Sequence, residues 1–294
     1  MPATVASLRL TFKNILFPTD FTEASTGALP YALAIAKAYG SKLYLTHAVT
    51  PEPPLSIPLE PIPLEMDPLW QQARDRLTRY LDSAPVRDVA REGVLEQGNL
   101  WSVLDDVICR HSIELIVLGS HGRHGLKKLV LGSNAEQVFR RAPCPVMTIG
   151  PAAMGEGHEH SAFRHIVFAT DFSKGSLSAL PYALSLAEEN QAQLTLAHLI
   201  PLVPMQHQVE VRATAMKRLL ELIPSDAEDW CRVECVVSFE FPAEGILSLA
   251  ETRHADLIVM GVHAKAPRSS SHLPWAIAYE VVCHAKCPVL TVRG

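Results

Sequence analysis

The chain has 294 residues, about twice the length of a common single domain, which predicts two domains. Hydrophobic residues make up 48% and charged residues 19%, which excludes general disorder, and six cysteines in so long a chain exclude a disulfide scaffold. A formal net charge of −5 argues against a nucleic-acid partner, and no apolar run approaches the roughly 18 residues of a membrane helix. The first residues do not resemble a secretory signal, so we expect a cytoplasmic protein without a membrane partner.

Short apolar strands alternate with helical patterns along the first half of the chain. The predicted strands are Asn14–Phe17, Lys42–Val49, Val86–Leu95, Leu115–Gly119 and Pro145–Ile149, and the predicted helices cover about 24–39, 66–83, 99–111 and 131–141. Fully apolar strands separated by helices indicate a parallel sheet that is covered on both faces. Right-handed crossovers then give an α/β, doubly wound sheet of five strands.

Prolines mark two irregular places in this pattern. Pro30 falls inside the first helical pattern and is matched by Pro181 in the second half, so each helix either starts late or kinks there. The Pro-rich stretch 50–63 predicts an extended loop.

The second half of the chain repeats the first. Residues 19–49 align without a gap to 170–200, with 14 identities in 31 positions at a constant offset of 151. Two shorter blocks agree: 113–122 with 255–264, and 142–150 with 285–293. We therefore predict one domain over 1–150, a linker over 151–162 and a second copy over 163–294.

A glycine-rich loop follows the fourth predicted strand. Its spacing is Gly119-x2-Gly122-x9-Gly132-Ser133, which is neither a Walker A loop nor a dinucleotide fingerprint. Gly132, Ser133 and Asn134 open the next helix, where free N–H groups and the positive end of the dipole attract phosphate. The basic residues beside the turn are Arg123, His124, Lys127 and Lys128. The alternative interpretation is a Gly-rich turn, a helix cap and a solvated basic face.

Asp20 directly follows the first strand, in the triplet Pro18-Thr19-Asp20. Ligands of open α/β sheets bind beyond the carboxyl ends of the strands, so Asp20 reaches the same edge as the glycine loop. Its carboxylate can accept a hydrogen bond from a ribose hydroxyl or an adenine amine. Alternatively it caps the first helix together with Thr22, and the two roles are compatible.

With these motifs the chain resembles a tandem universal stress protein, that is, two UspA-type domains fused head to tail. The resemblance implies two Rossmann-like domains of the adenine nucleotide alpha hydrolase-like kind, and ATP, with or without Mg²⁺, as the ligand. The ATP-binding subgroup carries G-x2-G-x9-G-[S/T], which Gly119, Gly122, Gly132 and Ser133 match. The resemblance implies nucleoside contacts from Pro18, Thr19 and Asp20 and an adenine pocket at Ala48 or Val49. It also implies that the phosphates lie near His121, Arg123 and Asn134.

The resemblance also bears on assembly, because the family pairs its last strands between subunits. Here Val146–Ile149 and Val289–Val292 are available to pair within one chain. One polypeptide would then be an intramolecular pseudo-dimer, with a homodimer of chains as the other possibility.

The second copy departs from the glycine pattern. Asp171, Gly261 and His263 are retained. Ala264 stands for Gly122, Pro267 for Gly125, and Trp275 and Ala276 for Gly132 and Ser133. A Cβ and an indole at these positions would obstruct phosphate, so we predict no ATP in this site. Arg268 and Ser269–Ser271 form a flexible polar loop or a different anion site, and the pocket around Trp275 either accepts an apolar ligand or stays empty.

Neither a metal site nor a catalytic constellation is predicted. His158 and His160 lie in the linker without further spaced ligands. The strand order that the resemblance implies puts the pairs Cys231/Cys235 and Cys283/Cys287 at opposite edges of the sheet. His47 and His198 end matched strands and are predicted to be core or pocket side chains. No G-x-S-x-G elbow or comparable group is present, and a second Mg²⁺ ligand beside Asp20 is not evident.

These observations favour a nucleotide-responsive stress-response regulator with an unknown protein partner. A slow ATPase or autokinase at Gly119–Ser133 is the enzymatic alternative. The other alternative is an adaptor that binds no nucleotide and whose second pocket binds an apolar ligand or nothing.

Overall fold

The computed structural model describes residues 10–50, 67–120, 131–153, 163–201, 204–227, 230–262 and 274–294, apart from the side chains of Pro274 and Trp275. In the first repeat the strands are β1 (Asn14–Pro18), β2 (Lys42–Val49), β3 (Arg91–Gln97), β4 (Leu115–Gly119) and β5 (Val146–Ile149). The helices are α1 (Glu23–Tyr39), α2 (Pro68–Leu81), α3 (Ala84–Arg87), α4 (Leu100–His111) and α5 (Ser133–Arg141). A 3₁₀ turn, Pro151–Ala153, follows β5.

The second repeat has the same order of elements. Its strands are β6 (His165–Ala169), β7 (Gln193–Leu199), β8 (Val233–Ser238), β9 (Leu257–Val262) and β10 (Val289–Arg293). Its helices are α6 (Lys174–Leu177), α7 (Leu180–Asn190), α8 (Met205–Leu220), α9 (Pro242–Thr252) and α10 (Pro274–His284). The expected α/β class, with a parallel-dominated sheet flanked by helices, is confirmed.

The chain divides into two compact units. The smaller unit holds the described residues of Phe12–Lys127 and Gly132–Val146. Its strands follow the order β3-β2-β1-β4, and all three neighbouring pairs are parallel. Phe17 in β1 is fully buried, as expected for a central strand that is covered on both faces.

The larger unit holds the described residues of Met1–Thr11, Lys128–Leu131 and Met147–Gly294. Its strands follow the order β5-β10-β9-β6-β7-β8, so the last three residues of β5 lie in the sheet beside β10. Leu10 also belongs to this unit, where its backbone N–H donates to the buried Ser185 Oγ at 3.0 Å. The larger unit is therefore built from both repeats.

Two local expectations are changed by the structure. The predicted strand Val86–Leu95 begins only at Arg91, because residues 84–87 form the helical turn α3. Val86 is buried, but it belongs to this helical turn and not to a strand. Its apolar side chain therefore does not mark the start of β3. The predicted helix 66–83 correspondingly ends at Leu81.

The matched prolines give different outcomes in the two repeats. Helix α1 runs without a break through Pro30. In the second repeat the same segment is divided into α6 and α7, and Pro181 lies in the first turn of α7, where its missing N–H costs no helical hydrogen bond.

Candidate functional site

The loop after β1 is held by backbone and side-chain hydrogen bonds. The Thr19 N–H donates to the carbonyl of Thr46 in β2 at 2.9 Å, which extends the β1–β2 pairing by one residue. The Thr19 hydroxyl lies 3.2 Å from Ser25 Oγ and accepts from the Phe21 N–H at 3.0 Å. Thr19 is buried, so its hydroxyl stabilises the loop from the protein interior and is not presented to solvent.

Asp20 is held through one carboxylate oxygen. Its Oδ1 accepts from the Thr22 N–H at 3.0 Å and from the Thr22 hydroxyl at 2.6 Å. Thr22 is the N-cap of α1, since its hydroxyl oxygen accepts from the Ser25 N–H at 3.4 Å. Asp20 thus supports the cap, as the alternative interpretation expected. Within the described part of the chain no hydrogen bond reaches Oδ2, which leaves this oxygen able to accept from a ligand.

Aromatic rings pack beside Asp20. Phe21 adopts a left-handed backbone with φ of 59°, and its ring centroid lies 4.6 Å from that of His47 and 5.8 Å from that of Tyr80. His47 is buried, and its Nδ1 lies 2.7 Å from the carbonyl oxygen of Thr19. Burial raises the pKa of the Tyr80 phenol, and the negative charge of Asp20 raises it further. His47 is therefore buried with a partner at its Nδ1, as expected of a core or pocket histidine.

The end of β4 lies next to the start of α5. The Gly132 N–H donates to the carbonyl of Ser120 at 2.7 Å, and α5 begins at Ser133 with Gly132 as its N-cap. Ser133 and Asn134 are exposed in the first turn. None of the described residues accepts a hydrogen bond from their N–H groups, so the positive end of this nine-residue helix is open.

The register of the sheet brings the predicted residues to one edge. Pro18 pairs with Thr46, so Asp20 follows β1 where Ala48 and Val49 end β2. On the other side β1 pairs with β4, which ends at Gly119. The structure places Pro18, Thr19, Asp20, Ala48, Val49, Gly119, Gly132, Ser133 and Asn134 at the carboxyl ends of β1, β2 and β4. His121, Gly122 and Arg123 lie outside the described residues.

The second repeat reproduces the first loop closely. Phe172 is also left-handed, with φ of 61°, and its N–H donates to Thr170 Oγ1 at 2.9 Å. The His198 Nδ1 lies 2.7 Å from the carbonyl oxygen of Thr170, and the centroids of the His198 and Phe172 rings are 4.5 Å apart. The Ser173 N–H donates to Asp171 Oδ1 at 2.9 Å. The glycine motif after β4 is present in the first repeat only, yet both repeats share this loop conformation. The conformation therefore does not depend on that motif.

Other contacts differ between the repeats. The Arg218 guanidinium lies 4.0 Å from the centre of the Phe172 ring, whereas the matched Phe21 ring is contacted by Tyr80. Gly261 is packed so closely that an added Cβ would lie 1.9 Å from the backbone oxygen of Gly175. Ala276 is exposed in α10. His263, Ala264, Pro267, Arg268, Ser269–Ser271 and the Trp275 side chain lie outside the described part.

The cysteines are all free thiols. Burial raises the pKa of Cys144 and of Cys287 to about 12, and that of Cys231 to about 11, so these thiols stay protonated at neutral pH. In the larger unit β9, β6 and β7 separate β10 from β8, which separates the two cysteine pairs. Among the described residues no three His, Cys, Asp or Glu side chains are grouped to hold a metal ion. His158 and His160 lie outside them.

Phe21, Tyr80 and Thr26 were not identified as site residues from the sequence. The triplet Thr-Asp-Phe recurs in both repeats, which gave a signal for Phe21. Thr26 carries no such signal, because Leu177 holds its position in the second repeat, and Tyr80 lies outside the blocks that align between the repeats. No helix in the described ranges is long and apolar enough to cross a bilayer.

Comparison with known proteins supports the repeat directly. The model of the universal stress protein family matches residues 11–150 and again residues 162–293. A universal stress protein of Methanocaldococcus jannaschii is 28% identical over 139 residues, covering 47% of this chain and 82% of its own. One of Thermus aquaticus is 28% identical over 145 residues, covering 47% of this chain and 98% of its own. Each relative thus corresponds to about half of the chain.

A solved structure extends the similarity to both repeats. The crystal structure of a universal stress protein from Archaeoglobus fulgidus superposes with a TM-score of 0.71, covering 97% of this chain and 99% of its own. The sequence identity is 19%, so this comparison bears on the fold alone.

Proposed function

The chain belongs to the universal stress protein family, and from this premise we propose that its first repeat binds ATP and acts as a nucleotide-responsive regulator of a stress response. The nucleoside contacts are Pro18, Thr19, Asp20, Ala48 and Val49, and the phosphate contacts are Gly119, His121, Gly122, Arg123, Gly132, Ser133 and Asn134. Binding changes a surface that a protein partner recognises, and the protein acts in the cytoplasm.

One observation carries this proposal: the hydrogen bond from the Gly132 N–H to the Ser120 carbonyl, at 2.7 Å. It sets the open N-terminus of α5 against the end of β4, on the edge where Asp20 leaves β1. A helix N-terminus that can bind an anion and a carboxylate then lie at one edge of the sheet, as a molecule with a ribose at one end and phosphates at the other requires. The exposed Ser133 and Asn134 supply additional donors there.

Mg²⁺ would reach this site with the nucleotide rather than through a built metal centre. Asp20 is the carboxylate at the crevice, and one of its oxygens is engaged by Thr22. Mg²⁺ is commonly held by one or two carboxylates together with substrate phosphates and waters. We therefore expect Mg²⁺ to bind as the ATP complex.

The second repeat is proposed to bind no ATP. Ala264 and Trp275 stand where the first repeat has Gly122 and Gly132. The second repeat instead completes the chain as an intramolecular pseudo-dimer. The position of β5 beside β10 in the larger unit supports this arrangement.

Titration of ATP, with and without Mg²⁺, into nucleotide-stripped protein tests the proposal. We expect one site per chain by calorimetry, lost in Gly122→Ala and weakened in Ser133→Ala. Ser102→Ala, in the first turn of α4, is the matched control and should bind as the wild type. Gly132→Trp copies the residue of the second repeat into the first and should also abolish binding.

The other outcomes are equally informative. Two sites per chain would show that Ala264 and Trp275 tolerate a nucleotide. No binding at millimolar ATP would favour the adaptor. ADP release or a phosphorylated Ser or Thr, lost in Gly122→Ala, would identify a slow ATPase or autokinase.

A further inference from the structure

Hydrogen bonds connect helix α2 to Thr22, the residue that holds Asp20. The Tyr80 hydroxyl donates to Thr26 Oγ1 at 2.8 Å. The Thr26 hydroxyl donates to the Thr22 carbonyl at 2.9 Å, and the Thr22 hydroxyl donates to Asp20 Oδ1 at 2.6 Å. The Tyr80 and Thr26 hydroxyls thus reach the backbone of Thr22, and the side chain of the same residue bonds Asp20.

The same tyrosine also contacts the other flank of Asp20. Its ring packs edge-on against Phe21, at 5.8 Å between centroids, and Phe21 in turn packs on the buried His47. Tyr80 therefore contacts the residue that follows Asp20 through its ring, and its hydroxyl bonds Thr26, which in turn bonds the carbonyl of the cap residue Thr22. The contacts of Tyr80 thus restrain Thr22 and Phe21, the two residues that follow Asp20, and with them the orientation of the Asp20 carboxylate.

The second repeat provides an internal comparison. Leu177 stands where the first repeat has Thr26, and Arg218 contacts Phe172, whereas Tyr80 contacts Phe21. The Ser173 hydroxyl lies 3.3 Å from Ser176 Oγ, while its N–H donates to Asp171. The side-chain bond that Thr26 makes is thus missing at Leu177, in the repeat whose glycine motif has been replaced, although the loop backbone is the same.

We infer that Tyr80 and Thr26 are positioning residues of the first site: they hold Thr22, which in turn holds the Asp20 carboxylate by its Oδ1 so that Oδ2 can accept from the ligand, and they connect α2 to that site. This inference rests on the proposed function. It identifies α2 as the helix whose hydrogen bonding responds when a nucleotide engages Asp20. The ligand is a nucleotide whose ribose hydroxyl or adenine amine donates to Oδ2.

Calorimetric titration with ATP, in the wild-type and Asp20→Asn backgrounds, separates positioning from general stability. Thr26→Val and Tyr80→Phe should each weaken ATP binding by about threefold to tenfold, the effect of one lost hydrogen bond. Thr26→Ser keeps the hydroxyl and should restore the affinity. The matched control is Thr78→Val. The Thr78 hydroxyl also donates to the carbonyl four residues earlier, in α2, but among the described residues it has no hydrogen bond to Thr26 or Thr22.

The two backgrounds give the decisive result. If the residues act through Asp20, neither Thr26→Val nor Tyr80→Phe weakens binding further in Asp20→Asn. Equal losses in both backgrounds would overturn the inference, because they would reflect damage to the fold. Wild-type affinity in Thr26→Val and Tyr80→Phe, together with a loss in Asp20→Asn, would also overturn it.

A measurement without nucleotide distinguishes failure of this inference from failure of the proposed function. Alkaline titration at 295 nm, taken as the difference between the wild type and Tyr80→Phe, isolates the Tyr80 phenol. Since the charge of Asp20 raises the pKa of Tyr80, Asp20→Asn should lower that pKa. An unchanged titration would overturn the connection between α2 and Asp20, whereas absent ATP binding with a lowered pKa would overturn only the nucleotide.

Discussion

A left-handed backbone is unusual for a phenylalanine, yet both Phe21 and Phe172 adopt one. Such a conformation costs of order 1–2 kcal/mol for a residue with a Cβ. Each ring compensates by packing on a histidine, His47 or His198, whose Nδ1 is within hydrogen-bond distance of the loop backbone. Strain and compensation thus occur at the residue that follows each aspartate.

Replacing Phe21 should separate the two contributions. Phe21→Ala loses the ring contacts and keeps the strain, whereas Phe21→Gly loses the ring contacts and relieves the strain. Urea unfolding should therefore find the glycine variant more stable than the alanine variant by about 1 kcal/mol. Phe172→Ala and Phe172→Gly should show the same order, and an alanine variant equal to glycine would argue against the left-handed conformation.

His165 should make the stability depend on pH. Its Nε2 lies 2.8 Å from Thr195 Oγ1, and burial lowers its pKa below the ordinary value. The folded protein resists protonation that the unfolded chain accepts, so stability falls as the pH drops below about 6.5. His165→Asn, which copies Asn14 of the first repeat, should reduce this loss between pH 7.5 and pH 5.5 in urea unfolding. The exposed His207→Gln should leave it unchanged.

At the scale of elements, apolar runs and helix signals predicted most of the fold. β2 and β4 match their predicted bounds, because fully buried parallel strands read as continuous apolar segments. Gly132 and Ser133 predicted the start of α5 for the reason the structure gives, a cap followed by free N–H groups. The start of β3 was predicted wrongly, since Val86 is equally apolar in a helical turn and in a strand.

The hydrogen bonds that connect Tyr80 to the residues around Asp20 could not be predicted. They depend on Tyr80 in α2 meeting Thr26 in α1, two side chains that are 54 positions apart in the sequence. Neither residue belongs to a motif, and helical periodicity does not report which helices become neighbours. The contribution of His121, Gly122 and Arg123 stays a prediction.

The two matched prolines should respond differently to alanine. Pro30 lies inside α1, where it removes a hydrogen bond to the carbonyl of Thr26, whereas Pro181 lies in the first turn of α7. In thermal unfolding, the Pro30→Ala variant should therefore have a free energy of unfolding higher than that of the Pro181→Ala variant by about 1 kcal/mol or more. Equal melting temperatures would mean that α1 already accommodates the proline without cost.

At the scale of the whole molecule, the compact units do not coincide with the repeats. Met147–Ile149 of β5 and Leu10 come from the first repeat, but both lie in the larger unit with the second. A break between the repeats therefore does not divide the larger unit into independent pieces. The apolar β5, all of whose residues are buried, would be exposed if it left β10.

A protease site introduced at 155–160 tests this arrangement. After cleavage the two fragments should remain together in size-exclusion chromatography at neutral pH, because part of one fragment belongs to the sheet of the other. Adding Thr148→Lys places a charge in the middle of β5 and should release them, whereas Lys37→Ala, an exposed change in α1, should not. Fragments that separate after cleavage without further substitution would contradict the position of β5 beside β10.

The place of β10 in the larger unit has a consequence for synthesis on the ribosome. β10 is the last described strand along the chain, yet it lies between β5 and β9 in the sheet. β5 therefore emerges roughly 140 residues before its neighbour, which at about 5–20 residues per second leaves it waiting for several seconds or more. During that interval an apolar strand has an unpaired edge. The nascent chain, rather than the finished protein, is the form that most needs protection from aggregation.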